Sequence, residues 1–97
     1  MSQFSIAHRF KASYDTYYDG PSEWRRLGAI QKVNNVRSLC EHLPHRTILE
    51  IGAGDGSVIQ ELCEIHFGSE LYAVEISDSG IQTIRQRQIQ SLLECGL

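Results

Sequence analysis

No run in the chain approaches the ~18 to 20 consecutive apolar residues of a membrane span. The opening "MSQFSIAHRFKAS" lacks the apolar core and cleavage signal of a secretory peptide, so a soluble, cytoplasmic protein is expected, with no membrane partner. Cysteine is scarce: Cys40, Cys63 and Cys95 are odd in number, far apart and set within apolar helical patterns. That arrangement excludes a disulfide framework and suits free thiols in a reducing compartment. A surplus of positive charge is absent too. The formal net charge is −3, and Arg25, Arg26, Lys32, Arg37, Arg85 and Arg87 are interspersed with acids, so no nucleic-acid partner is expected. Cys40, His42 and His45 are bunched at one helix end around Pro44 without an evident fourth ligand, and no metal site is expected there. His8 and His66 have no partner that would suggest proton transfer.

What remains is an ordinary globular composition, 41% hydrophobic and 22% charged, in a chain of 97 residues. At that size only about 60 to 65% of the unfolded surface becomes buried, which allows one domain at most. Phe4, Ala7, Phe10, Tyr14, Tyr17 and Tyr18 give a modest helical spacing over residues 5 to 18. Asp19-Gly20-Pro21 is turn chemistry, and Ser22 followed by Glu23 starts a stronger helix. Its stripe runs Leu27, Ile30, Val33, Val36, Leu39, Cys40 and Leu43 until Pro44 stops it. Tyr14, Tyr17, Tyr18 and Trp24 form an aromatic cluster best read as docking or core packing.

The second part has a different rhythm. "TILEI" at 47 to 51 suits a strand buried on both faces of a parallel sheet, apart from Glu50. Glycines follow at 52, 54 and 56, and Ser57 with Gln60 offers a capping box for a helix that Gly68 is placed to end. "LYAVEI" at 71 to 76 repeats the plan with Glu75 at its carboxyl end. Ser77, Asp78 or Ser79 then caps a last helix with the stripe Ile81, Ile84, Ile89, Leu92 and Leu93, predicted to reach nearly to the chain end. A strand, crossover helix and parallel strand make the unit of doubly wound folds, whose ligands sit beyond the carboxyl ends of the strands. The glycine loop and both acids fall at that edge.

Gly52, Gly54 and Gly56 permit positive backbone angles and close approach to a ligand, beside the unpaired amides of a helix start. A dinucleotide loop, G-x-G-x-x-G, would need its third glycine at position 57, where the chain has Ser57. Glu50 at the mouth would repel a pyrophosphate and attract a ligand carrying an ammonium and a sulfonium. Glu75, nineteen residues after Gly56, is placed to accept hydrogen bonds from both hydroxyls of a ribose. The two acids together ask for a nucleoside with a positively charged tail, a description that S-adenosylmethionine fits.

"LEIGAGDGS" followed by "LYAVEIS" resembles the first two motifs of the class I S-adenosylmethionine-dependent methyltransferases, with Glu50, Gly52, Gly54 and Gly56 matching E/D-x-G-x-G-x-G position for position. The resemblance covers roughly residues 44 to 95, and "EWRRLGAIQKVNNVRSLC" is similar to the helical lead-in of small-molecule members. It implies an α/β, partial Rossmann-like methyltransferase fold: a lead-in over 1–43 and the first βαβα half of the domain over 44–97. It implies S-adenosylmethionine as methyl donor, with Glu50 toward the methionine ammonium and Gly52 and Gly54 along the methionine part. Glu75 would take the ribose hydroxyls and Ile76 the adenine face; Ala53 and Gly56 complete the cofactor loop, and Asp55 has no assigned role.

The family's domains run to about seven strands, with an adenine-contacting acid after the third and a substrate-facing motif after the fourth. This sequence stops at "SLLECGL", which implies an amino-terminal portion without the substrate half, possessing no assignable catalytic base and leaving open that the chain alone is inactive. The acceptor is unidentified; the lead-in points to a small molecule. An open parallel edge predicts a homo-oligomer or a domain-swapped dimer. Two other readings stand: a non-catalytic nucleoside-binding or oligomerising module, and a fragment of a nicotinamide-dinucleotide enzyme.

Overall fold

The computed structural model describes residues 23–96, so the helix and aromatic residues expected before Glu23 lie outside the described residues. Helix α1 (Glu23–Cys40) leads into strand β1 (Thr47–Ile51), helix α2 (Ser57–Glu64), strand β2 (Glu70–Val74), helix α3 (Asp78–Gln86) and strand β3 (Leu92–Gly96). The three strands are parallel and ordered β1-β2-β3, so β2 is central.

Alternation along the strands decides which side chains meet the helices. Ile48 and Glu50 of β1 lie in register with Leu71 and Ala73 of β2, and Leu92 and Cys95 of β3 continue these rows. On that face Leu71, Ala73, Ile59, Leu62, Phe67, Ile84, Val33 and Ala53 form one core, with Ile48, Leu92 and Cys95 packed against it. On the other face Leu49 and Ile51 are 56% and 78% exposed. The sheet is therefore buried on one face only among the described residues.

The expectation that residues 47–51 are buried on both faces is thereby corrected, and three others are corrected as well. The last helix does not run to the chain end. It stops at Gln86, Gln88 takes a left-handed φ of 52°, and Leu92–Gly96 forms a third parallel strand. No apolar residue falls between Ile84 and Ile89, so the helical stripe breaks there, and the short apolar run after it satisfies the open edge of β2, whose Leu71 N–H donates to Ser91 O at 2.9 Å. The expected capping box at Ser57 and Gln60 does not form either. The N-cap of α2 is Gly56, and the Ser57 N–H donates instead to the Asp55 carboxylate at 3.0 Å.

The third concerns how α2 ends. His66, at φ 57°, takes the left-handed position; Phe67 N–H donates to Leu62 O and His66 N–H to Cys63 O, the paired bonds of a Schellman motif. Gly68 is needed two residues later, at φ 98°, where a Cβ would lie 2.6 Å from Ile48 Cδ1 and 3.2 Å from His45 O. In α1 the buried line is Ala29 and Val33, with Val36 and Cys40 beside the core, while Leu27 and Leu39 of the predicted stripe are exposed. His45 stacks on Phe67 with ring centroids 4.0 Å apart, which gives that histidine a packing role.

Gly68→Ala combines a strained backbone with a contact against β1, so urea denaturation is expected to show a loss of about 1 to 3 kcal/mol. An unchanged midpoint would contradict the tight turn before β2.

Candidate functional site

At the carboxyl end of β1 the chain leaves the sheet and folds over the neighbouring strand. Gly52 and Ala53 both donate their N–H to Val74 O, at 2.8 and 3.0 Å, and Gly56 N–H closes a turn onto Ala53 O at 3.0 Å. Gly52, Gly54 and Gly56 all have positive φ, at 74°, 61° and 83°, which is the backbone the alternating glycines were expected to supply.

Glu75 holds this loop. It is 4% exposed, and its two carboxylate oxygens accept from Gly54 N–H at 2.7 Å and from Ser77 N–H at 2.8 Å. Ser77 in turn caps α3, its hydroxyl accepting from Gly80 N–H at 2.9 Å. Close approach of α3 requires Gly80, where a Cβ would fall 2.6 Å from Gly54 O and 2.8 Å from Glu75 Cγ. Glu75 is thus the pin between the loop after β1 and the helix after β2.

Glu50 is placed differently. It sits on the helix-covered face of β1, and its Oε1 is buried with no hydrogen-bond partner among the described residues. Burial, with smaller contributions from the Asp55 and Glu75 charges, pushes its carboxyl up to about 7 against the opposing pull of Lys32. Glu50 lines a cleft of about 640 Å³ together with Gly52, Ala53, Gly54, Asp55 and residues of α1 that include Trp24, Lys32 and Asn35. That volume falls within the range of about 300 to 1,000 Å³ usual for small-molecule sites. Lys32 is exposed and makes no ion pair among the described residues. The cleft therefore carries an unsatisfied carboxylate in its wall and an uncommitted ammonium contributed by α1.

Of the residues singled out in the sequence, Glu50, Gly52, Ala53 and Gly54 share this cleft. Gly56 does not line it and packs toward α3, where a Cβ would meet Ile84 Cγ1 at 2.8 Å. Glu75 reaches the loop from beneath, and Ile76, 41% exposed, lies at the end of β2 outside the cleft lining. Asp55, without an assigned role in the sequence, is 4% exposed and accepts from Ser57 N–H at 3.0 Å. It also faces two guanidinium groups, Arg25 of α1 at 3.5 Å and Arg87 at 3.6 Å. Sequence reasoning missed both arginines and Gly80, because each acts through a contact with the loop 26 or more residues away rather than through a local motif.

Neither a family model nor a curated protein matches the sequence. Solved structures do match the fold. Phosphoethanolamine N-methyltransferase 1 of Haemonchus contortus, in complex with phosphoethanolamine and S-adenosylhomocysteine, is similar with a TM-score of 0.64 at 21% identity, over 97% of this chain and 22% of that one. The plantazolicin methyltransferase BamL, in complex with a triazolic desmethylPZN analogue and S-adenosylhomocysteine, is similar with a TM-score of 0.56 at 18% identity, over 99% of this chain and 42% of that one. The chain thus spans less than half the length of either, and it has a partial Rossmann-like fold of the class I S-adenosylmethionine-dependent methyltransferase type.

The two acids should respond oppositely to neutral isosteres. Glu75→Gln replaces one acceptor by a donor facing a main-chain N–H, and is expected to cost about 1 to 3 kcal/mol in chemical denaturation. Glu50→Gln should stabilise. The folded carboxyl, at about 7, lies above its ordinary 4.5, so the native state binds more protons between those values and wild-type stability is lost as pH rises through that window. At pH 8 the variant should exceed wild type by up to about 3 kcal/mol, the gain vanishing toward pH 4.5. A loss at pH 8 would refute the assignment.

Proposed function

We propose that the chain forms the donor-binding half of an S-adenosylmethionine-dependent methyltransferase acting on a small-molecule acceptor. The observation that carries this reading is the buried, unpartnered oxygen of Glu50, facing a cleft walled by a glycine loop of positive φ. A buried carboxylate with no partner is costly, and a ligand ammonium would supply what it lacks. A pyrophosphate in the same place would meet a like charge.

In this reading Glu50 takes the ammonium of the methionine part, Lys32 faces its carboxylate, and Gly52, Ala53 and Gly54 lie along its chain. Each carboxylate oxygen offers more than one lone pair, so Glu75 keeps acceptor capacity toward the ribose hydroxyls while pinning the loop. Ile76, apolar and partly exposed at the strand end, suits the adenine face. Gly56 serves the loop rather than the ligand. The bound donor supplies an activated methyl group, and the chain's own contribution is to fix the donor's charged end and exclude water from it. The fold shared with two methyltransferases holding S-adenosylhomocysteine supports this choice of cofactor. The small-molecule acceptor rests on the likeness of the lead-in helix alone.

Calorimetric titration of the full chain tests the proposal with S-adenosylhomocysteine, its decarboxylated amine and a nicotinamide dinucleotide. The expected result is binding of S-adenosylhomocysteine in preference to both others. Glu50→Gln should weaken it by about tenfold to a hundredfold, on the scale of a charge-assisted hydrogen bond of about 1.5 to 3 kcal/mol. Lys32→Met should erase the preference over the amine. Wild-type affinity should rise with pH through about 7 as Glu50 ionises, and the Gln variant should show no such rise. Tighter binding of the dinucleotide would overturn the assignment. Binding of S-adenosylhomocysteine with no methyl transfer from S-adenosylmethionine to any small-molecule acceptor would favour a non-catalytic nucleoside module.

A further inference from the structure

We propose that Arg87, just past the last turn of α3 and outside both sequence motifs, is a positioning residue that sets the glycine loop for its ligand. The inference rests on the nucleoside-binding reading above and extends it to a residue that touches no part of the ligand.

One guanidinium reaches four groups on the loop and the start of α2. Arg87 Nε donates to the Asp55 carbonyl at 2.6 Å, and Nη2 donates to Ser57 Oγ at 3.2 Å. Nη2 also lies 3.6 Å from Asp55 Oδ2, and Nη1 donates to Gln60 Oε1. A planar fork with several fixed N–H directions can hold such a divergent set, and a lysine ammonium on a flexible stem cannot. Asp55 and Ser57 both line the cleft, so what Arg87 fixes is the far wall of the site that Glu50 opens.

Gly56 records the same constraint. At its φ of 83° a Cβ would lie 3.2 Å from Arg87 Cδ and 3.4 Å from Arg87 Nε, as well as 2.8 Å from Ile84 Cγ1. The third glycine of the loop thus makes room for the side chains of α3 and its end. Asp55 adds an electrostatic reason, since a carboxylate 4% exposed needs opposite charge close by, and Arg25 of α1 and Arg87 at the end of α3 provide it from two sides of the chain. Seen along the chain, α3 grips the loop at both its ends. Glu75, three residues before the helix, holds Gly54 N–H, and Arg87, the residue just after it, holds the Asp55 carbonyl.

The test is hydrogen–deuterium exchange of the amides of residues 53–57, together with calorimetric titration by S-adenosylhomocysteine, on full-chain wild type, Arg87→Met and Arg87→Lys. Leu92→Ala, a core truncation in β3, serves as a control for general loss of stability. Arg87→Met should speed loop exchange about tenfold or more and weaken ligand binding about tenfold under conditions where the protein stays folded, and the Lys variant should recover only a minor part of either. Leu92→Ala should lower the unfolding midpoint with loop exchange relative to β2, and affinity, within about twofold of wild type. Equal effects in the Met and Leu92 variants, full recovery by Lys, or unchanged loop exchange in Arg87→Met would overturn the proposal. Absence of binding by wild type with the exchange contrast intact would sink the nucleoside reading while supporting the clamp.

Discussion

The site depends on the carboxylate of Glu75. Two main-chain amides from different segments, Gly54 after β1 and Ser77 after β2, converge on its two oxygens in a place closed to water. Charge-assisted bonds of this kind are strong and directional, and a buried carboxylate that lost one would have no solvent to replace it. The loop after one strand is therefore tied to the helix after the next. Gly80 permits the approach, Ser77 caps the helix so held, and the glycines at 52 and 54 take backbone angles that other residues rarely adopt. The cleft follows from this pin, because Gly54 is both what Glu75 holds and part of the wall.

Against that satisfied acid stands an unsatisfied one. Glu50 occupies a helix-facing row otherwise filled by Ile48, and nothing among the described residues meets its Oε1. Such an arrangement lowers stability, and proteins keep it where a ligand completes it. The division of labour proposed for the acids is then physical: Glu75, buried with a main-chain bond on each oxygen, shapes the loop and has only spare lone pairs to offer a ribose, whereas half-buried Glu50 has an oxygen with no partner among the described residues and is the acid left for an ammonium. Lys32 on α1 lines the same cleft and its charge acts on Glu50, and this pair of opposite charges is what the proposal matches to a zwitterionic ligand end rather than to a phosphate.

Much of this could be read in the sequence, because it is written locally. β1, β2, the glycine loop and the Ser77 cap each occupy a few consecutive residues whose chemistry depends on neighbours one to four positions away. β3 was hidden, since "SLLEC" carries leucines that also fit a helical stripe begun at Ile81, and the break in that stripe at residues 85–88 acquires its meaning from the open edge of β2. The end of α2 was misread for a similar reason: Gly68 is the obvious terminator, yet His66 takes the left-handed turn while Gly68 answers to Ile48, twenty residues earlier. Arg87 and Asp55 were invisible as a pair, because no local pattern links residues 32 apart. The motif showed where the loop is; what holds it came from tertiary contact.

The most direct test of the central claim, that Glu50 is the acid left for the ligand, is proton release on binding. Titrating the full chain with S-adenosylhomocysteine near pH 6.5, in two buffers of different ionisation enthalpy, reports the number of protons exchanged. With Glu50 largely protonated before binding and ionised against an ammonium afterwards, wild type should release the greater part of one proton, and Glu50→Gln should release none. Binding with no proton release in wild type, or with the same release in the variant, would contradict the account.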